Sequence, residues 1–255
     1  MLIDINAYIG HWAFRQLRYN TAETLVRLMD KNKIEKAIVA SINGTMYKNV
    51  HSANEEIAVE TKLFRDRLIP FATLNPTWAG WKDDLKKCAE DLRLNGLRLY
   101  PQYHGYSITD SIALEIIDAA TELNWAIQIP MTLVDRRQKH KWDLAEDIPP
   151  ADFEKLVSLR PNAKFMFLNS FGINPDNLPK TSRYLIDIAN PYYQTLLRKE
   201  IPKLIDRAGA EHLAFGTNMP FRIPEATLLK LNLIEIKSED KEKIAYNNAE
   251  NFIKK

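Results

Sequence analysis

The sequence predicts a single-domain α/β chain, residues 1–255, folded as a (β/α)8 TIM barrel. Three observations lead there. Short β-rich runs alternate with helix-period segments from end to end, the pattern of βα units that feed a parallel sheet. The runs number eight, more than an open sheet usually carries. The length of 255 residues matches the ~250 that such barrels typically take.

The expected strands are Leu2–Tyr8, Lys36–Ser41, Ile69–Leu74, Gly96–Tyr100, Ala126–Pro130, Lys164–Asn169, Tyr184–Ala189 and His212–Asn218. Between them, apolar residues spaced three and four apart predict helices over Thr21–Lys33, Ser52–Phe64, Trp81–Leu94, Ser111–Leu123 and Tyr192–Ala208. Ser52 and Glu55 have the spacing of a capping box. Neither a longer repeat nor a low-complexity linker interrupts the series.

Composition narrows the function classes. Apolar residues make up 45% of the chain, enough for a substantial core, and no segment has a disordered composition. With 35 basic against 33 acidic residues, the net charge of +2 gives no case for a nucleic-acid partner. The lone cysteine, Cys88, rules out an internal disulfide framework and suits a reducing compartment. It reads as a small buried hydrophobe in a helical stretch rather than as a reactive thiol. No leader-like segment opens the sequence and no apolar run is long enough to span a bilayer, so a cytoplasmic protein without a membrane partner is expected. Phosphate-binding loops, dinucleotide fingerprints, nucleophile elbows and Cys-x-x-Cys pairs are missing, and 8 glycines leave little for backbone phosphate cradles.

In a barrel the functional groups lie at the C-terminal strand ends and on the loops that follow. Strict alternation along each strand puts Asp4, Asn6 and Tyr8 on one face of strand one, and Gly96, Arg98 and Tyr100 on one face of strand four. It groups Gln128 with Pro130, Phe165 and Phe167 with Asn169, and Ala214 and Gly216 with Asn218. The expected mouth therefore holds amides, phenols and a guanidinium.

Several stretches carry a resemblance to a known family. They are Ile3-Asp4-Ile5-Asn6-Ala7-Tyr8-Ile9-Gly10, Phe64 through Pro76, and Asn95-Gly96-Leu97-Arg98-Leu99-Tyr100-Pro101 with Tyr103-His104-Gly105-Tyr106. Ala214 through Phe221 and Asn248-Ala249-Glu250-Asn251 complete the set. In order and spacing the chain resembles the amidohydrolase-related (amidohydrolase 2 type) TIM-barrel metal-dependent hydrolases. That resemblance implies a metal held by a His-x-His pair on strand one, histidines ending strands five and six, and an aspartate ending strand eight. The matching positions here are Asn6, Tyr8, Pro130, Asn169 (with Ser170 beside it) and Asn218. None keeps the family ligand, and an amide oxygen is a poor substitute for imidazole or carboxylate. The expectation is a divergent member without metal or other cofactor. Metal-free lactonases that resemble this family rely on the strand-eight carboxylate as base, and Asn218 cannot take that role.

The remaining candidates are catalytic His104 and Tyr8, with Asn6, Arg98, Tyr100, Gln128, Asn169, Asn218, Arg137 and His140 as ligand-binding residues. Four of the five histidines (His11, His51, His104, His140) fall on expected βα loops, and His104 reads either as an acid–base group or as a loop anchor. Arg98 reads either as a ligand contact or as the partner of Asp4 or Asp187, because an unpaired buried charge is costly. Arg15, Arg18, Arg136, Arg137 and Arg222 surround the mouth, and the loop 135–142 reads as a solvated segment or a lid. Trp12, Phe14, Tyr103, Tyr106 and Phe221 supply aromatic faces. Two functions are compatible with these residues: a metal-independent hydrolase or lactonase of a small anionic, carboxylated or sugar-derived molecule, and an inactive pseudoenzyme that binds a metabolite or a partner subunit. A homo-oligomer is compatible with either.

Overall fold

β1 (Ile3–Ile9), β2 (Lys36–Ser41), β3 (Leu68–Thr73), β4 (Gly96–Arg98), β5 (Ala126–Pro130), β6 (Lys164–Leu168), β7 (Arg183–Asp187) and β8 (Leu213–Ala214) form one parallel sheet in sequence order. This computed structural model describes residues 1–190 and 199–254. Backbone bonds close the sheet on itself: Ile5 N donates to Phe215 O (3.0 Å), Tyr8 N to Met219 O (2.9 Å) and Asn218 N to Asn6 O (2.8 Å). The result is the expected (β/α)8 barrel.

Helices α1 (Ala22–Lys31), α2 (Val50–Glu60), α3 (Trp81–Glu90), α4 (Pro101–His104), α5 (Ser111–Glu122), α6 (Pro150–Leu159), α7 (Glu200–Ala208) and α8 (Pro224–Leu233) occupy the crossovers and loops. Of the helix expected over Tyr192–Ala208, the structure shows Glu200–Ala208, and residues 192–198 lie outside the described residues. The expected Ser52–Glu55 cap is displaced. α2 begins earlier, and Asn49 Oδ1 accepts from His51 N instead. A capping box does form on α1, where Thr21 and Thr24 satisfy each other's backbone N–H groups. None of the helices among the described residues is long and apolar enough to cross a membrane.

Two apolar layers hold the barrel. Outward strand residues such as Val39, Leu97, Ile127 and Ile186 pack against the helices. Inside, Ile5, Ile38, Phe71, Met166, Leu168 and Leu185 fill the lower barrel, and Tyr246, Phe252 and Ile253 of the C-terminal segment pack against them. Each such fully buried side chain contributes roughly 1.5–3 kcal/mol.

Two breaks in alternation decide what faces the interior. Asp4 pairs with Ala37 and Ala7 with Val39, so three steps along β1 match two along β2. This bulge places Ile3 and Ile5 inside and Asp4 outside, while Asn6 and Tyr8 still face inward; Asp4 does not share their face. On β6 the expectation for Phe165 and Phe167 is reversed as well. Both join the outer layer, where Phe153 of α6 packs edge-on to Phe167 at 4.8 Å. Asn169 reaches the interior because its φ of +51° breaks the strand phase, and Asn218 takes φ of +63° after β8. Asparagine tolerates this left-handed region better than most residues do.

Gly96 on β4 marks the tightest inner contact: a Cβ there would lie 2.4 Å from the Phe71 ring. Gly96→Ala should destabilise the barrel by about 1–3 kcal/mol in urea unfolding, and Phe71→Leu in that background should recover part of the loss. A Gly96→Ala protein as stable as wild type would contradict this packing.

Candidate functional site

Above the inner apolar layer the barrel turns polar, and Arg98 is at its centre. The side chain is wholly buried. Its Nε donates to Gln128 Oε1 (2.7 Å), its Nη1 donates to Ala7 O (2.8 Å), and the guanidinium lies 4.4 Å from the centre of the Tyr8 ring. Arg98 Nη2 has no hydrogen-bond partner of normal geometry. The carboxylates considered as partners, Asp4 and Asp187, are engaged elsewhere, so the buried charge is met by dipoles and a ring face rather than by an ion pair.

Gln128 is satisfied at both ends, with Nε2 donating to Ile5 O (2.7 Å), and it acts by holding Arg98. Tyr8 Oη is buried without a partner, and desolvation drives the phenol far above its ordinary range, so Tyr8 stays protonated. Tyr100 donates weakly to Ser41 O (3.3 Å), and its hydroxyl also lies within a long contact of the Arg98 guanidinium; burial raises its pKa against the favourable effect of Arg98.

The inward amides form one chain of contacts with Asp187, which ends β7. Asn6 Nδ2 donates to Asp187 Oδ2 (2.6 Å) and to Asn169 Oδ1 (3.2 Å). Asp187 Oδ1 accepts from the backbone N–H groups of Asn169 (2.9 Å) and Ala189 (3.3 Å). Asn169 Nδ2 donates to Thr132 O and Asn218 Nδ2 to Leu133 O. Burial pushes Asp187 up to about 6 against these hydrogen bonds. Asp4 grips the same segment from outside, accepting from Asn6 N, Thr217 N and Thr217 Oγ1. Burial pushes Asp4 up to about 7, again against its hydrogen bonds.

An aromatic cluster covers this layer. Phe221 meets Tyr8 edge-on at 5.4 Å, Trp12 meets Phe221 at 5.5 Å, and Tyr103 and Phe14 flank Trp12. Phe221 also lines a cleft of about 440 Å³ together with Arg15, Arg18, Arg222 and Lys31. Three of the five loop arginines expected around the mouth, Arg15, Arg18 and Arg222, thus line one cleft together with Lys31 and Glu225, while Arg136 and Arg137 pair with Asp147 and Asp135.

The structure brings Asn6, Tyr8, Arg98, Gln128, Asn169 and Asn218 together, with Tyr100 adjoining. It places the other candidates further out. His104 ends α4, and its Nε2 bonds Gly44 O at 2.9 Å while burial lowers its pKa, the geometry of an anchor between the fourth and second loops. Arg137 lies against Asp135 and is largely exposed. His140 stacks on Phe14 and meets Trp142 edge-on. His51 belongs to α2 rather than to a loop, close to Asp84 and Cys88. Asp187 is the site residue that sequence reasoning underrated. An acid closing an otherwise apolar barrel strand was its signal.

No family model and no curated protein matches this chain at significance. Solved structures do. An amidohydrolase II superposes with TM-score 0.77 at 15% identity over 99% of both chains. A dihydroxybenzoic acid decarboxylase from Polaromonas sp. JS666, with bound manganese and the inhibitor 2-nitroresorcinol, gives 0.74 at 14% over 99% of this chain and 96% of that one. A protein described as a probable 2-pyrone-4,6-dicarboxylic acid hydrolase from Acinetobacter baumannii, with citric acid bound, gives 0.68 at 12% over 99% and 98%. At these identities the likeness establishes the fold: the structural neighbours are amidohydrolase-type TIM-barrel enzymes.

The manganese of one neighbour sets a test for this mouth, and the donors fail it. Asn6 and Asn218 offer neutral amide oxygens, Asp187 already accepts three N–H groups, and Arg98 places a positive charge among them. No group of three or more His, Cys, Asp or Glu suited to a metal occurs among the described residues.

Asp4 makes stability depend on pH with a definite sign. Its native pKa of about 7 lies above that of the unfolded chain, so the native state holds a proton that the unfolded state releases from about pH 4 upward. Stability from this group therefore falls as pH rises through 7. Urea unfolding of wild type and Asp4→Asn at pH 5 and pH 8 should show wild type losing on the order of a few kcal/mol relative to the variant. A pH-independent difference would refute the assignment.

Proposed function

We propose that this barrel is a metal-independent, hydrolase-type protein for a small carboxylated or sugar-derived molecule, with Arg98 as the anion receptor. The observation that carries the reading is the buried guanidinium without an ion pair, its Nη2 unpartnered beside the unpartnered Tyr8 Oη. An unpaired interior charge is costly, and an anionic ligand compensates it. The three arginines of the neighbouring cleft, Arg15, Arg18 and Arg222, outnumber its one acid, Glu225, which pairs with Lys31, and so favour the approach of such a ligand. The neighbouring structures have names or bound ligands of this chemistry: dihydroxybenzoic acid, pyrone-dicarboxylic acid and citric acid.

For a lactone or ester, Arg98 and the Tyr8 phenol are the donors that would stabilise charge developing on the acyl oxygen, and the product carboxylate then rests on Arg98. Activation of water has no committed base. Asp187 is engaged through both oxygens and Tyr8 is held as a phenol, while His104 donates Nε2–H to Gly44 O and keeps an unpartnered Nδ1, set back from Arg98 on α4. That specific point favours the second reading, a barrel that binds a small carboxylate without turning it over.

A panel of lactones, esters and free carboxylates, assayed in EDTA by hydrolysis and by titration calorimetry, separates the two. Turnover supports the first reading, and binding without turnover the second. Under both, Arg98→Gln should weaken carboxylate binding by at least about tenfold, a loss of ~1.4 kcal/mol or more. Unchanged affinity in a folded Arg98→Gln protein, or activity that chelation abolishes, overturns the proposal.

A further inference from the structure

The amides at the barrel mouth all face the same way. Asn6 Nδ2 donates to the Asp187 carboxylate and to Asn169 Oδ1, Asn169 Nδ2 to Thr132 O, and Asn218 Nδ2 to Leu133 O. The decisive partners, two backbone carbonyls and the ionised Asp187 carboxylate, accept only, so the orientation of each amide is fixed by chemistry while Asp187 is ionised. What is left toward the interior is oxygen: Asn6 Oδ1 and Asn218 Oδ1 are buried and without a partner. The two residues are joined through Asn218 N and Asn6 O at 2.8 Å. The polar layer therefore presents donors at Arg98 Nη2 and acceptors at two asparagine oxygens.

We infer that Asp187 is a specificity-determining positioning residue: by holding Asn6 Nδ2 it keeps Asn6 Oδ1 toward the ligand, so that the site selects small carboxylates bearing a hydrogen-bond donor, such as a hydroxyl, over isosteric acceptors such as a ketone. This rests on the carboxylate reading of Arg98 given above. The physical reason is asymmetric cost. A ketone set against a fixed amide oxygen leaves two buried acceptors facing each other, whereas a hydroxyl satisfies one of them. Asp187 is itself fixed from outside the ligand space, through Asn169 N and Ala189 N, so it can impose this orientation without touching the ligand. In Asp187→Asn the side-chain oxygen is still required by Asn169 N and Ala189 N, so the new NH2 faces Asn6 and the acceptor that held Asn6 Nδ2 is gone. The Asn6 amide is then free to turn, and the preference it enforces is lost.

The test uses two matched pairs of acids, lactate with pyruvate and mandelate with phenylglyoxylate, titrated into wild type, Asp187→Asn and Arg98→Gln by calorimetry. Wild type should bind the hydroxy acid of at least one pair about tenfold or more tighter than its keto partner. In Asp187→Asn that ratio should fall to about threefold or less, with Asn218 Oδ1 still in place. Because Asp187→Asn could fail to fold, a second measurement uses wild type alone. In ¹⁵N-resolved spectra the Asn6 side-chain NH2 should exchange slowly with solvent and keep its bond to carboxylate when the hydroxy acid binds. A wild-type ratio near one with Arg98-dependent binding overturns the role of Asp187 while leaving the carboxylate reading intact. An unchanged ratio in folded Asp187→Asn, or rapid exchange of the Asn6 NH2, does the same. If no acid binds, or if Arg98→Gln alters nothing, the reading and this inference fall together.

Discussion

A full positive charge on the barrel axis without an ion pair is the constraint to which the rest of this mouth conforms. Arg98 is wholly buried, and its neighbours are arranged to make that tolerable: a backbone carbonyl, a glutamine oxygen and the negative face of a phenol ring. Gln128 is fixed in turn by Ile5 O, so the guanidinium is held by groups that cannot easily relax away from it. The acids nearby are not free to neutralise it. Asp4 and Asp187 are committed to holding Asn6, one through its backbone and the other through its side chain. A charge left in this state carries a standing desolvation cost, and that cost is the basis for the proposal that Arg98 receives an anion.

The sequence made much of this legible, and the reasons differ by element. Seven of the eight strand positions are recoverable to within about two residues because buried parallel strands are continuous apolar runs, and β8 is shorter than expected. Arg98, Gln128, Asn6 and Tyr8 were identifiable as inward groups by period-two alternation alone. The same rule misplaced Asp4, Phe165 and Phe167, because alternation assumes an unbroken ladder. The bulge on β1 and the left-handed Asn169 each break it; the bulge leaves no mark in residue type, and an asparagine permits a left-handed residue without requiring one. His104, Arg137 and His140 lie on loops, where periodicity says nothing about direction; their partners at Gly44, Asp135 and Phe14 come from distant or irregular segments.

The breaks in pattern coincide with the polar layer. The bulge lets Ile5 stay in the apolar layer while Asn6, the next residue, also turns inward. The positive φ of Asn169 and Asn218 brings an amide inward at a strand end. Arg98 and Gln128 face inward by regular alternation, and these deviations aim the asparagine amides into the same layer. Backbone irregularities at strand ends are a common way to aim side chains into a site.

The charge balance at this mouth carries one further consequence. Tyr8 feels Arg98, Asp187 and Asp4 together, so the three charges share one low-dielectric region. Asp187 lies near its titration point at neutral pH because burial has pushed it up to about 6. On the proposed function, a ligand carboxylate on Arg98 would add a negative charge to that region and make the ionised form of Asp187 less favourable still. Anion binding and protonation of Asp187 are therefore linked, each promoting the other. The linkage also limits selectivity. A protonated Asp187 can donate to Asn6, which loosens the amide orientation on which discrimination between hydroxyl and ketone depends. Affinity for an acid and discrimination among acids then respond to pH in opposite directions, since affinity gains and discrimination falls as the medium becomes more acidic.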